Sequence, residues 1–93
     1  MDTHNDIRMA QSQIQQEIAG YRMVVGAKQL RKALLAGQAQ KVYLAQDADP
    51  AITEPIAQMC LDQKVPFAWA RSMKDLGRAC HIDVGAAAAA ATF

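Results

Sequence analysis

Apolar residues recur in this chain at two spacings, and the change between them predicts alternating helices and short strands. Spacings of three and four predict a first amphipathic helix from about Asp6 to Gly20, with an apolar face made by Ile7, Ala10, Ile14 and Ile18. The β-prone segment 21–25 then predicts the first strand. A second amphipathic helix follows over 26–36, and Gly37 ends it.

The second half continues this alternation, with strands predicted at 41–45 and 67–70. The helix between those strands has two possible starts. Asp49 can cap it, since a proline follows directly at the first helical position. Alternatively Thr53 is the cap, because Pro55 has no backbone N–H to donate inside a helix.

The end of the chain gives one clear signal and one ambiguous signal. Ser72 followed by Asp75 has the form of a capping box, which predicts a fourth helix that ends near His81. The six alanines at 86–91 favour a helix by propensity, yet they lack a polar face. A strand buried on both faces is the alternative, and the residues leave both interpretations open. The alternation as a whole predicts a three-layer α/β/α sandwich.

Length and composition indicate one folded domain over residues 1–93. The chain is 52% hydrophobic and 20% charged, which argues against disorder and suits a single core. Cys60 and Cys80 have no zinc-site spacing, so we interpret them as reduced core residues of a cytoplasmic protein. The first residues lack the features of a signal peptide, and no segment reaches the roughly 20 apolar residues of a membrane span. We therefore expect a cytoplasmic protein with no membrane association.

The charges are unevenly distributed, although the net charge is only +1. Between Glu17 and Asp47 every charged side chain is basic: Arg22, Lys28, Arg31, Lys32 and Lys41. Acidic residues occupy 47–62, and basic residues dominate 64–78. Two basic segments around an acidic one predict a dipolar surface, with one side suited to a polyanion.

The start of the second helix is the most informative local feature. On a helical wheel at about 100° per residue, Lys28, Gln29 and Lys32 share one side, while Leu30 and Leu34 lie opposite. The helix can therefore bury one face and present two cations and an amide beside its positive N-terminal end, which favours a polyanion. A charged face of a surface helix is more often simply solvated, and the residues alone leave both interpretations open.

No residue pattern points to catalysis or to a bound metal. Asp47 and Asp49 are close in sequence, but helix capping is the simpler explanation for a carboxylate there. His81 follows Cys80 and has no partner at a catalytic or ligand spacing. Trp69 could stack on a base, although a lone tryptophan in a strand is more often packed. We expect a protein that is not an enzyme and binds no cofactor or metal.

Four motifs in a fixed order resemble one family. They are Val25-Gly26-Ala27-Lys28-Gln29, Asp47-Ala48-Asp49-Pro50, the segment from Ser72 to Cys80, and Ile82-Asp83-Val84-Gly85 with its alanines. Together they are similar to the L7Ae-type kink-turn RNA-binding ribosomal proteins, and specifically to their small bacterial members, over roughly residues 17–93. The resemblance implies an α/β/α sandwich with a mixed four-stranded sheet, in which the alanine run is a strand.

The resemblance also implies an RNA partner and its contacts. The family binds a sharply bent RNA element in which a bulge is followed by tandem sheared G·A pairs. By that analogy Gly26 allows a close backbone approach with Ala27 beside it, Lys28 and Gln29 face the guanine edges, and Lys32 meets phosphate. The loop after the third strand then lies against the bulge nucleotides: Ala70, Arg71, Ser72 and Met73.

Two features depart from the family pattern. Archaeal and eukaryotic members usually carry Asn-Glu where this chain has Lys28-Gln29, whereas small bacterial members show Lys-Gln. Residues 1–16 are predicted to form an N-terminal helical extension, on which the resemblance is silent.

Two hypotheses of function follow. The main one is a non-catalytic, monomeric protein that recognises and stabilises kink-turns in ribosomal RNA, a riboswitch or a ribonucleoprotein. The alternative is a protein–protein interaction module, in which the long first helix docks a partner and the basic face is incidental. In this hypothesis Ile7, Ile14 and Ile18 are shared between the core and the partner.

Overall fold

The computed structural model describes residues 8–93 of the protein. Eight elements follow one another in this part of the chain: α1 Gln11–Ile18, β1 Arg22–Val25, α2 Ala27–Leu35, β2 Ala39–Ala45, α3 Pro50–Gln63, β3 Phe67–Ala70, α4 Met73–Ala79 and β4 Ala88–Thr92. Their types and order agree with the predicted alternation.

The four strands form one mixed sheet in the order β1-β4-β2-β3. β4 pairs antiparallel with both β1 and β2, while β2 and β3 run parallel. α1 and α4 pack on one face of the sheet, and α2 and α3 pack on the other. The predicted three-layer α/β/α sandwich with a mixed four-stranded sheet is therefore confirmed.

The alanine run is a strand in the middle of this sheet. All residues of Ala88–Thr92 are buried, with Ala89 in the core under α1 and α4 and Ala90 in the core under α2 and α3. Their small side chains let both helix layers approach the sheet closely. Hydrogen bonding to β1 and β2 on either side outweighs the intrinsic helix preference of alanine, which is a weak prior.

The first helix is shorter than predicted. α1 begins at Gln11 after the N-cap Ala10, and the two residues before Ala10 are not helical. The predicted start near Asp6 is thus wrong for residues 8–10, and the rest of that prediction, including Ile7, lies outside the described residues. Ile14 and Ile18 are buried at 0% and 8% exposure in the core beneath α1 and α4.

The start of α3 resolves the choice between two caps. The Asp49 carboxylate accepts a hydrogen bond from the backbone N–H of Ala51 at 2.9 Å, so Asp49 is the N-cap and the Thr53 alternative is wrong. Pro55 lies inside the helix, which continues through it. Burial of Ile56 one residue later stabilises the helix despite the missing backbone donor.

Candidate nucleic-acid interface

Three strands end at the same edge of the sheet. β1 and β2 both run antiparallel to β4, and β3 runs parallel to β2, so the carboxyl ends of β1, β2 and β3 lie together. At this edge the N–H of Gly26 donates to the carbonyl of Ala88 at 2.9 Å, and Ala45 lies opposite Ala70. Gly26 and Arg71 therefore occur at one end of the molecule, about 14 Å apart, or three strand spacings.

The N-terminal end of α2 is open to solvent. Its N-cap Gly26 has φ 100°, and an added Cβ there would meet nothing within 4 Å. Lys28, Gln29 and Lys32 are exposed while Leu30 is fully buried, as the helical wheel predicted. Glycine has no side chain to cap the first turn, so the backbone N–H groups of this turn and the helix dipole face outward beside the cations.

The loop after β3 contributes an exposed cation and a partly exposed apolar side chain. Arg71 is exposed, with its guanidinium 3.6 Å from the Asp75 carboxylate, and Met73 is 36% exposed. Ser72 is the cap of α4, since its hydroxyl accepts from the Asp75 N–H at 3.0 Å. Ala70 is fully buried, so its side chain is part of the core and does not line this surface.

The segment before β4 joins the same surface, although residue patterns did not single out its role. A cleft of about 320 Å³ at this end is lined by Asp47, Met73, Lys74, Arg78, Ile82, Asp83, Val84 and Gly85. The Val84 side chain is 71% exposed beside it. The loop is held against α4 because the N–H of Ala86 donates to the carbonyl of Met73 at 3.0 Å. The signal in the sequence is an apolar residue next to a glycine, which is too common to identify a site.

The predicted separation of charges holds only in part. Lys28 and Arg71 lie at one end, but Asp47 and Asp49 lie there too, because β2 also ends at this edge. Both carboxylates accept hydrogen bonds from backbone N–H groups. Asp47 accepts from Met73 at 2.7 Å, and Asp49 accepts from Ala51 at the cap of α3. The acidic groups are thus structural at this surface, while the cations of α2 remain exposed.

Packing accounts for Cys60 and Trp69, while His81 is exposed at a cleft. Among residues 8–93 no group of three His, Cys, Asp or Glu side chains could hold a metal ion. Cys60 is buried, which raises its thiol pKa to about 11. His81 lines a cleft with Gly20 and Tyr21, at the opposite end of α4 from Asp47. Trp69 packs edge to face on Phe67, with ring centroids 6.4 Å apart.

None of the described helices combines the length and the apolar character that crossing a membrane requires.

The fold and this surface define a class of small α/β/α proteins that present a cationic helix end beside a capped loop. The model of the ribosomal protein L7Ae/L30e/S12e/Gadd45 family matches residues 9–93. The chain belongs to this family, which confirms the resemblance found in the sequence motifs.

Relatives in bacteria and a solved eukaryotic structure agree with this membership. An RNA-binding protein of Geobacillus sp. strain WCH70 is 46% identical over 69 residues, which is 74% of this chain and 84% of that protein. The RNA-binding protein YbxF of Geobacillus stearothermophilus is 45% identical over the same shares of the two chains. The structure of a Giardia lamblia 15.5 kDa RNA binding protein superposes with a TM-score of 0.79 at 26% identity, covering 100% of this chain and 84% of that one.

Proposed function

We propose that this protein binds RNA and recognises kink-turns through the N-terminal end of α2 and the loop between β3 and α4. The observation that carries the proposal is the shared sheet edge, which brings the exposed cations of α2 and Arg71 to one end of the molecule. Family membership and relatives named as RNA-binding proteins support it. The bend, the bulge and the G·A pairs of a kink-turn offer contacts to both parts of this surface.

The start of α2 supplies the contacts to base edges. Lys28 donates and Gln29 both donates and accepts, which suits the N7 and O6 acceptors of guanine. Gly26 and Ala27 allow the backbone to come close to RNA, since the space around Gly26 is open. Lys32 lies one turn further along the same exposed side, where it neutralises a phosphate.

The loop after β3 supplies the contacts to the bulge. The exposed Arg71 guanidinium can stack on a base or bind phosphate, and Met73 offers an apolar surface to an unstacked base. Ser72 contributes by holding the start of α4 in place, and buried Ala70 contributes only through the strand that ends there.

With these contacts, the protein can stabilise the kink by binding alone, without catalysing a reaction. Free RNA interconverts between extended and kinked conformers, and a protein surface complementary to the kinked conformer shifts the population toward it. The expected partners are RNAs that carry this element, in ribosomal RNA, a riboswitch or a ribonucleoprotein.

The alternative of a partner-docking helix receives no support from the described residues. Ile14 and Ile18 are buried in the core under α1 and α4, so they are not available to a second protein.

A direct binding measurement tests the proposal. The protein is titrated into a fluorescently labelled kink-turn RNA, and in parallel into the same RNA with its G·A pairs replaced by Watson–Crick pairs. Energy transfer between the two RNA ends reports the bend. We expect tight binding and bending of the first RNA, and weaker, salt-dependent binding without bending of the second. Equal affinity for both RNAs contradicts specific recognition.

A further inference from the structure

Three loops of the candidate surface meet at one residue. The Oδ1 atom of Asp47, in the loop after β2, accepts a hydrogen bond from the backbone N–H of Met73 at 2.7 Å. The carbonyl oxygen of Met73 accepts in turn from the N–H of Ala86, in the loop before β4, at 3.0 Å. Met73 thereby connects the loop after β2, the loop after β3 and the loop before β4.

Asp47 helps to cap α4 although it lies far from this helix in the sequence. Met73 is the first residue of α4, and its N–H is one of the four that lack a partner within the helix. Ser72 satisfies the Asp75 N–H locally at 3.0 Å, whereas Asp47 reaches Met73 across 26 residues of sequence. A carboxylate acceptor at a helix start makes a charge-assisted bond that the helix dipole strengthens.

The position of Asp47 is costly for a surface that binds a polyanion. Its charge repels phosphate, and Asp49 already caps α3, so helix α3 does not require it. A carboxylate at such a place is explained if the geometry it imposes matters more than the repulsion.

We infer that Asp47 is a positioning residue of the RNA surface, an inference that rests on the function proposed above. By holding the N–H of Met73 it sets the start of α4, and the Met73 carbonyl then sets the loop before β4. Gly85 of that loop packs tightly on the Met73 side chain, because an added Cβ at Gly85 would lie 3.1 Å from the Met73 Cβ. Loss of the Asp47 bond therefore loosens both loops together.

Two variants separate the bond from the charge. Asp47→Asn and Asp47→Ala both remove the negative charge, but asparagine keeps an Oδ1 acceptor for the Met73 N–H. We expect both variants to bind a plain RNA duplex equally well, and slightly more tightly than the wild type. On a kink-turn RNA, Asp47→Ala should bind about fivefold more weakly than Asp47→Asn, the usual effect of one cap bond.

Amide hydrogen exchange of the free protein gives an independent readout. In Asp47→Ala the amides of Met73 and Ala86 should exchange faster than in Asp47→Asn, while those of β4 stay unchanged. Asp62→Ala removes a carboxylate that accepts from Gln58 within α3 at 3.0 Å, and should leave the Met73 amide as in the wild type. If Asp47→Ala does not fold, Asp47→Asn is compared with the wild type instead. We then expect faster exchange of the Met73 amide in Asp47→Asn, because a neutral acceptor binds the N–H less strongly than a carboxylate does.

The results distinguish a failure of the positioning role from a failure of the proposed function. Unchanged exchange at Met73 and Ala86 in the variants, or equal kink-turn affinities of Asp47→Ala and Asp47→Asn, overturns the positioning role. Faster exchange combined with a wild type that does not prefer kink-turn RNA overturns the proposed function instead, and leaves Asp47 as the residue that holds the loops.

Discussion

The carbonyl oxygen of Met9 accepts a hydrogen bond from the backbone N–H of Arg71 at 2.9 Å. The N–H of Met9 donates to the carbonyl of Trp69 at 2.7 Å, so Met9 extends the sheet past β3 by one residue. These bonds cover part of an edge strand that would otherwise be open to pairing with another chain. They also fix the first residue of the loop that we propose to contact RNA.

Replacement of Met9 by proline removes the N–H that binds Trp69. We expect Met9→Pro to lower the free energy of unfolding by about 1 kcal/mol, the usual contribution of one backbone hydrogen bond, and to speed amide exchange at Arg71. Met9→Ala is the matched control, because it shortens the side chain and keeps the backbone donor. Equal exchange at Arg71 in the two variants would show that the edge contact does not hold the loop.

The double variant Lys28→Ala, Gln29→Ala tests base readout by α2. It should weaken kink-turn binding by at least roughly tenfold, because each good contact to a base edge contributes about 1–3 kcal/mol. Binding to a plain duplex should fall much less, since one phosphate contact at most is lost. A gel-shift titration of both RNAs measures the two effects, and equal losses would refute specific readout.

Lys32→Ala tests the phosphate contact. We expect weaker binding to both RNAs and a salt dependence whose logarithmic slope is smaller by about one. Arg22→Ala is the control, because Arg22 begins β1 at the opposite end of the sheet and is also exposed. A slope that changes equally in the two variants would indicate only a general effect of charge.

A partly exposed network joins α1 to β2 and makes stability depend on pH. The Glu17 carboxylate accepts from the Tyr43 hydroxyl at 2.6 Å and from the Lys41 ammonium at 2.7 Å. Burial by itself raises the pKa of Glu17, but the bonds from Lys41 and Tyr43 and the charge of Lys41 hold that pKa below its usual value. Since the unfolded state then binds the proton more readily, this stabilisation is present above the unfolded pKa and is lost as the pH falls through the folded pKa.

Glu17→Gln should therefore be less stable than the wild type near neutral pH, and the gap should close in acid. We expect a gap of about 1 kcal/mol, kept small by the 40% exposure of the Glu17 side chain. It should shrink below roughly pH 4, where free glutamate takes up its proton. Urea unfolding from pH 3 to pH 8 measures this, and a constant gap would contradict the ion-pair interpretation.

Gly77 is a packing position that supports the loop before β4. An alanine Cβ there would collide with the backbone carbonyl oxygen of Val84. Gly77→Ala should destabilise the protein by about 1–3 kcal/mol and weaken kink-turn binding, because the loop must move away from α4. Lys74→Ala on the exposed side of the same helix should leave stability within about 0.5 kcal/mol of the wild type. A Gly77→Ala protein more stable than the wild type would mean that the loop before β4 can move away from α4 without a loss of stability.

Much of the fold was predictable because it depends on local periodicity. The face of α2 followed from the positions of Leu30 and Leu34, and the start of α4 followed from Ser72. For α3 the sequence left two possible caps, and the structure shows that Asp49 is the one used. The start of α1 was not predictable, because Met9 is extended only through its bonds to a strand that comes 60 residues later. The alanine run required the family resemblance, since its own residues favoured a helix.

The candidate site was likewise predictable from the sequence only in part. Lys28 and Gln29 were identifiable, because their exposure depends on one helix alone. Asp47 was missed, since nothing near it in the sequence indicates that it binds Met73.

The order of residues alone decides where the helices lie and which faces are apolar, because helical hydrogen bonds and side-chain periodicity involve close neighbours. The alanine run is a strand only because β1 and β2 pair with it in the folded protein. Which loops meet is decided by the three-dimensional arrangement, since strand order sets what lies at each sheet edge. The surface proposed for RNA exists only because β1, β2 and β3 end together.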